Sequence, residues 1–254
     1  MLRSLLITSL ACGLLPISGA CLTAVEAKEP APLKTFEKDQ IPQSMQGLPL
    51  LFHENFQSGS SDHWLPTDDK AWKMIKQGDN HVFSLFKKRS KFEPPVRSPY
   101  NRALLKDIKV SDFVFDVKLQ STIPDYGHRD LCLFFDYQDD AHFYYVHLGK
   151  KTDDHANQIF IVNDKPRTKI STKTTPGTDW DDEWHHARIV RDTKTGSIKV
   201  YFDNMKEPVM TATDKTFLTG LDPDHVAEDL VDYNYVKNAL AKYPDWIKDP
   251  SVNP

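Results

Sequence analysis

The chain has 254 residues, of which 39% are hydrophobic and 27% are charged, and its formal net charge at pH 7 is -4. A chain of this length can bury a sizeable core without disulfide bonds. Its slight acidity argues against nucleic acid as a partner, because nucleic-acid-binding proteins carry basic patches. By length and strand spacing we predict one all-β domain behind a targeting segment.

Residues 1–27 have the layout of a secretory signal peptide, with Arg3 ahead of the apolar run 5–17 and small residues after it. The run is shorter than the roughly 20 residues that cross a bilayer. We therefore predict no membrane span and a secreted or periplasmic protein.

Two cleavage points fit the small residues that end this segment. Cleavage after Ala27 would remove it whole, whereas cleavage after Ala20 would leave Cys21 as the first residue. Ser18 stands where a lipoprotein signal prefers leucine, which disfavours a lipid anchor at Cys21. If Cys21 is removed with this segment, Cys132 has no partner for an internal disulfide.

Residues 28–49 are rich in proline and charge, which is typical of a loose linker, and the domain is predicted over 50–217. A strand begins near residue 50. The segments 72–74 and 82–86 form a predicted hairpin about the turn 78–80.

Further strands are predicted on both sides of the centre of the chain. Pro94 and Pro95 lie in a loop, and residues 112–120 alternate, with Phe113, Phe115 and Val117 on one face and Val114, Asp116 and Lys118 on the other. Residues 184–191 and 197–202 form another hairpin. Short strands with turns at this spacing indicate a two-sheet antiparallel sandwich.

The most informative stretch is residues 128–164, in which we predict three strands at 131–137, 142–148 and 158–163. Successive side chains of a strand point to opposite faces. Folding the first two strands about residues 139–140 therefore sets Cys132 opposite His147 and Phe134 opposite Tyr145.

This register divides the side chains between two faces. The predicted core face carries Leu131, Leu133, Phe135, Tyr137, Val146 and Leu148. The opposite face carries Asp130, Cys132, Phe134, Tyr145, His147, Gln158 and Phe160. We interpret the second face as an open ligand surface, because polar groups converging on an apolar surface mark binding sites. The alternative is an ordinary solvated or packed sheet face, since aromatic residues are also good strand formers.

The segment WHHARIVRDTKTGSIKVYFDN at 184–204 resembles the penultimate hairpin of concanavalin A-like jelly rolls, the lectin, laminin-G and glucanase superfamily. HENFQSGSSDHW at 53–64, followed by AWKM, is similar to the opening of such domains in secreted bacterial proteins, including the 3-keto-disaccharide hydrolase-like group. Residues 126–164 resemble the middle of planctomycete-type members. The resemblance covers about residues 50–217 and implies a jelly-roll fold.

The resemblance also guides the predicted site. No E-x-D-x-x-E run is present, so the paired-carboxylate hydrolysis of some glucanases is not expected. Relatives that cleave acidic polysaccharides by β-elimination use a tyrosine or histidine base with arginine, glutamine or asparagine nearby. The predicted catalytic residues are His147, Tyr145 and Arg129. The predicted sugar-binding residues are His128, Asp130, Phe134, His155, Asn157 and Gln158. No metal or cofactor is expected.

Two classes of function stay open from the sequence. The first is a carbohydrate-active enzyme, a hydrolase or a lyase, with His147 or Tyr145 as general acid or base. The second is a non-catalytic carbohydrate-binding or adhesion module that uses the same aromatic residues. Either class has a polysaccharide or oligosaccharide as its partner, and nothing in the sequence indicates the oligomeric state.

The C-terminal segment 218–254 departs from the family pattern, which closes with a glycine-rich strand. Asp222 can cap a helix with Pro223 at its first position, so we predict a helical tail docked on the sandwich. The alternative is a tail that replaces the closing strand. Loss of that strand argues against the calcium site of some relatives, so Glu54 is not predicted to bind metal.

Overall fold

The computed structural model of the chain describes residues 41–217. The predicted signal peptide, most of the predicted linker and the predicted helical tail lie outside these residues. For those three segments the sequence-based expectations therefore stay predictions.

The described part of the chain is built almost wholly from β-strands, which confirms the predicted all-β class. It contains five antiparallel sheets, one 3-10 turn at Asp69–Ala71 and, within residues 41–217, no α-helix. The strands are β1 Ser44–Met45, β2 Leu48–Pro49, β3 Trp64–Pro66, β4 Trp72–Gln77, β5 Asn80–Leu85, β6 Ala103–Leu105, β7 Phe113–Leu119, β8 Asp130–Asp139, β9 His142–Gly149, β10 Gln158–Asn163, β11 Thr168–Lys169, β12 Ser171–Thr174, β13 His185–Asp192, β14 Ser197–Phe202 and β15 Met210–Thr213.

Two of these sheets form a sandwich. One has the strand order β12-β15-β14-β13-β7 and the other has the order β11-β10-β9-β8. Leu133, Val146 and Ile159 of the four-stranded sheet pack in one core with Ile189 and Val200 of the five-stranded sheet. The alternation of apolar side chains puts these residues on the inner faces, where burial of apolar area stabilises the fold.

The predicted register of the central hairpin is confirmed. Cys132 lies opposite His147 and Phe134 lies opposite Tyr145. On the other side of β9, Gln158 pairs with His147 and Phe160 pairs with Tyr145. Of the core positions predicted from this register, Leu131 is half-buried, and Leu133, Phe135, Val146 and Leu148 are buried.

Tyr137 is a correction, because it does not face the core. The pairing of β8 shifts between Phe135 and Asp139, and Asp136 adopts a left-handed conformation with a φ of 47°. A bulge of this kind adds one residue to a strand and reverses the faces that follow it. Tyr137 therefore packs against Phe143 on the His147 face, with ring centroids 5.9 Å apart.

The same bulge turns Asp136 into the core. Its Oδ2 accepts a hydrogen bond of 2.9 Å from Nε of Arg191, and both side chains are fully buried. Arg191 also donates to the backbone carbonyls of Gly196 and Asp214 at 2.9 and 3.0 Å. The buried charge pair thus ties the four-stranded sheet to the end of the five-stranded sheet.

Residues 64–105 form smaller sheets beside the sandwich. The predicted hairpin is present as β4 and β5, with Gly78 in its turn at a φ of 61°. Trp72 and Phe83 of this hairpin stack at 4.8 Å. The Gln77 side chain bonds to Gln120 at 2.8 Å, which joins the hairpin to the sandwich.

Candidate functional site

The face of the four-stranded sheet that carries His147 is covered, so the interpretation of this face as an open surface was wrong. Phe143 and Tyr145 of β9 have no exposed surface, and Phe160 of β10 is 1% exposed. Val96 packs against the cluster that these rings form. The cover is a segment of residues 93–100, which we call the strap.

The strap has the sequence EPPVRSPY and no regular secondary structure. Its three prolines have restricted φ angles and no N–H, so the segment leaves few donors to satisfy. The Arg97 carbonyl accepts a hydrogen bond from the backbone N–H of Arg167 at 3.1 Å. That bond holds the strap to the turn between β10 and β11.

A pocket of about 610 Å³ remains between the strap and one end of the sheet. The whole strap lines one side, and Asp130, His147 and Arg167 line the other. Its size falls in the range of about 300–1,000 Å³ that is typical of small-molecule sites. We call this cavity the Asp130 pocket.

Asp130 and His147 form a hydrogen-bonded pair in this pocket. The distance from His147 Nε2 to Asp130 Oδ2 is 2.7 Å, and the Asp130 side chain is 35% exposed. His147 itself is buried, and its Nδ1 has no hydrogen-bond partner among residues 41–217. The pair therefore holds the carboxylate in place.

Tyr145 lies beneath the strap, stacked against Phe134 on one side and Phe160 on the other at 5.7 and 5.1 Å. Its hydroxyl accepts a hydrogen bond of 3.1 Å from Nη1 of Arg167. Burial raises the pKa of Tyr145, and the positive charge of Arg167 offsets only part of that rise. The phenol is thus held neutral and away from solvent.

Arg167 is a pocket residue that the sequence-based prediction missed, together with Arg97 and Tyr100 of the strap. The Arg167 guanidinium lies 4.9 Å from the centre of the Phe160 ring, and its Nη2 donates to the His155 carbonyl at 3.2 Å. One feature of the sequence pointed to the strap residues, namely an arginine and a tyrosine among prolines. No feature of the sequence indicated which face of the sheet the strap covers.

Several predicted residues lie near the pocket without lining it. Phe134 is half-buried beside Tyr145, and the buried Gln158 donates to the Asp153 carbonyl at 2.9 Å. His128 is exposed, with its Nε2 at 3.5 Å from Asp153 Oδ2. His155 is also exposed, and it contributes only its carbonyl, to Arg167.

Arg129 and Asn157 lie elsewhere, which corrects their predicted place beside His147. Arg129 is 2% exposed, and its Nη2 donates to the Ser121 carbonyl and to Asp182 Oδ1, the latter at 2.9 Å. Asn157 is fully buried and donates to Thr152 Oγ1 at 2.6 Å. Neither residue lies in a strand, because Arg129 precedes β8 and Asn157 precedes β10 with a left-handed φ of 54°.

Cys132 is a half-buried free thiol opposite His147. Burial and, after it, the negative charge of Asp130 raise the pKa of the Cys132 thiol. A thiol with a raised pKa is a poor nucleophile at neutral pH, because the thiolate is the reactive form.

No cluster of three or more histidine, cysteine or acidic side chains suited to a metal occurs within residues 41–217. Glu54 bonds to the backbone N–H of Phe56 at 2.7 Å and to His63 at 3.2 Å. A search of the same residues for a helix long and apolar enough to cross a membrane found none.

Comparison with known proteins does not assign this chain to a family. No family model matches the chain, and no curated protein matches it either. Among solved structures, the chain is similar to the carbohydrate binding module CBM66 from Bacillus subtilis. The identity is 15%, the match covers 62% of this chain and 83% of that one, and the TM-score is 0.43. At that TM-score nothing about the function of this chain follows from the similarity.

Proposed function

We propose that this protein binds a carbohydrate in the Asp130 pocket. The observation that carries the proposal is the partly exposed Asp130 carboxylate, fixed by His147 and set opposite the proline-rich strap. Asp130 Oδ1 has no hydrogen-bond partner among the described residues, so it is available to a ligand. A fixed acceptor needs little reorganisation on binding, which favours affinity.

The chemistry of the pocket matches that of a sugar ring. Sugars offer hydroxyl donors and acceptors around the ring and apolar C–H faces above and below it. Asp130 accepts hydrogen bonds, and the exposed guanidinium of Arg97 donates them. The strap prolines and Tyr100 supply apolar surface.

Binding fits this geometry better than cleavage does. A general base must come within about 3 Å of the proton that it removes. His147 Nε2 is already bonded to Asp130, its Nδ1 is shielded from solvent, and the Tyr145 hydroxyl is buried and bonded to Arg167. We therefore place the protein among carbohydrate-binding modules, with polysaccharide cleavage as the alternative, and we propose that it acts outside the cell or in the periplasm.

The test compares two aspartates in similar surroundings. Asp130 bonds to His147 at 2.7 Å in the pocket, and Asp116 bonds to His186 at 2.8 Å on the five-stranded sheet. Their side chains are 35% and 31% exposed. Asp130→Asn should weaken sugar binding about 10- to 100-fold, the equivalent of one charge-assisted hydrogen bond of roughly 1.5–3 kcal/mol. Asp116→Asn should leave affinity unchanged.

Affinities are measured by titration calorimetry against a panel of polysaccharides and oligosaccharides. The same mixtures are followed for new reducing ends and for the absorbance of unsaturated uronates. Arg97→Ala is a second variant, chosen because Arg97 is exposed and can be replaced without loss of packing. Equal affinities in Asp130→Asn and the unmodified protein would overturn the proposal. Turnover of any sugar would establish the enzyme instead.

A further inference from the structure

We propose that this protein binds the surface of anionic lipid membranes through a group of lysines around Phe86. This inference goes beyond the proposed carbohydrate binding and does not depend on it. Residues 68–91 contain seven lysine or arginine residues and three aspartates, a net charge of +4, whereas the whole chain carries -4. Positive charge is thus concentrated in one segment of an acidic protein.

The β4–β5 hairpin and the loop after it bring this charge together around one aromatic ring. Phe86 follows β5, and its backbone N–H donates to the Ala71 carbonyl at 3.0 Å. The ammonium groups of Lys73 and Lys87 lie 4.7 and 5.7 Å from the centre of the Phe86 ring. We call this ring, these two lysines and the neighbouring Lys70, Lys88 and Lys91 the basic patch.

Hydrogen bonds fix the backbone that carries the basic patch. Asn101 Nδ2 donates to the carbonyls of Lys87 and Lys88, in both cases at 3.2 Å. Asp68 Oδ2 accepts a hydrogen bond of 3.1 Å from the backbone N–H of Lys91. An ordered backbone loses less conformational freedom on binding than a mobile loop does, which favours affinity.

The lysines of the basic patch are available to a partner. All five are exposed. Among the carboxylates of residues 41–217, Glu93 pairs with Arg89 at 3.9 Å, and none forms an ion pair with a lysine of the patch. The Asp68 carboxylate is already bonded to backbone N–H groups. An anionic surface therefore complements the patch.

Phe86 favours a membrane over a soluble anionic polymer. Its side chain is 45% exposed. The Lys73 ammonium lies over the ring, so that face is not free to stack on a sugar. At a membrane surface the ring can leave water at the boundary of the acyl chains, while the lysines stay among the phosphate groups. A hydrated polysaccharide would leave the ring in water.

The experiment measures how full-length protein partitions onto lipid vesicles, by sedimentation. One set of vesicles is phosphatidylcholine alone, and the other set also contains phosphatidylglycerol. The proposal predicts stronger binding to the second set and a loss of that difference at high salt, which screens exposed charges. Hydrogen exchange of the peptides that cover residues 84–91 should slow down when the anionic vesicles are added.

Two variants of the basic patch locate the contact. Lys73→Gln and Lys87→Gln together should weaken binding to the anionic vesicles about 10- to 30-fold, at about fivefold per lysine. Phe86→Ala should weaken it about 3- to 10-fold, because about half of the ring is available to leave water. The three side chains are exposed, and urea unfolding checks that each variant is folded.

The matched control removes two neighbouring lysines from the five-stranded sheet. Lys173 and Lys199 both lie opposite Thr211, and both are exposed. Lys173→Gln and Lys199→Gln together change the net charge by the same amount as the patch variant and should leave vesicle binding unchanged.

Three results would overturn the proposal. The first is equal binding to the two sets of vesicles, and the second is an equal loss of binding in the patch variant and its control. The third is vesicle binding with unchanged hydrogen exchange over residues 84–91, since another segment would then make the contact. Binding of soluble alginate that the patch variant weakens, without binding to vesicles, would assign the patch to an acidic polysaccharide instead.

Discussion

At the scale of single residues, Asp136 and Arg191 form an ion pair that is fully buried in the core. Neither side chain has exposed surface. Removing two charges from water costs desolvation free energy, which their mutual attraction and further hydrogen bonds must offset. Arg191 makes such hydrogen bonds to the carbonyls of Gly196 and Asp214. The pair lies far along β8 from Asp130, so it belongs to the stability of the sandwich.

Asp136→Asn should lower the free energy of unfolding by about 3–5 kcal/mol, because it leaves the Arg191 charge buried without its counterion. Asparagine tolerates the left-handed backbone at this position, so the change isolates the charge. Urea unfolding followed by tryptophan fluorescence measures the effect. Asp116→Asn, at the partly exposed pair with Arg188, is the control and should cost about 1 kcal/mol or less. A loss at Asp136 as small as the loss at Asp116 would contradict this account.

At the scale of elements, strand alternation was enough to predict the pairing of β8, β9 and β10. A period of two fixes which side chains share a face once the turn is placed, and the turn at residues 139–140 was clear in the sequence. The bulge at Asp136 was not predictable in this way, since a single left-handed residue leaves no periodic signal. It reversed the face of Tyr137.

Sequence patterns could not predict that the strap covers the site, and the reason is a different one. The strap meets the sheet through Arg97 and Arg167, which are far apart in the chain. Proline-rich segments indicate a loop but do not indicate what the loop covers. The types of Arg129 and Asn157 suited a sugar site, yet both residues lie just outside the strands, where alternation does not place a side chain. Residue type alone was not enough to predict the positions of these two side chains.

The strap shields Cys132, and this can be tested through its attachment at Arg102. Arg102→Ala removes the stack with Phe92 and Tyr137 and the bond to Asp140. Alkylation of Cys132 should then be faster than in the unmodified protein under native conditions. The rate is read from the Cys132 peptide by mass spectrometry, because Cys12 and Cys21 also react when they are present.

The matched control for this change is Arg188→Ala, which removes an arginine paired with Asp116 on the other sheet. Its Cys132 rate should equal that of the unmodified protein. If both variants alkylate at the same rate, the strap is not anchored by Arg102. Equal rates in Arg102→Ala and the unmodified protein lead to the same conclusion.

At the scale of the whole molecule, the sandwich carries two similar histidine–aspartate pairs on opposite sides. His147 and Asp130 lie under the strap on the four-stranded sheet, and His186 and Asp116 lie on the outer face of the five-stranded sheet. The first pair lines a pocket of about 610 Å³. The two pairs therefore serve as site and internal reference within one protein.

The most direct test of the central claim is a titration followed by the ring ¹⁵N signals of histidine in NMR. A sugar from the panel is added to the labelled protein, and every histidine is monitored. The account predicts that the His147 signals move in a saturable way, with the affinity found by calorimetry, while the His186 signals stay in place. A sugar that binds and shifts His186 or any other histidine, but leaves His147 unmoved, would show that the site lies elsewhere.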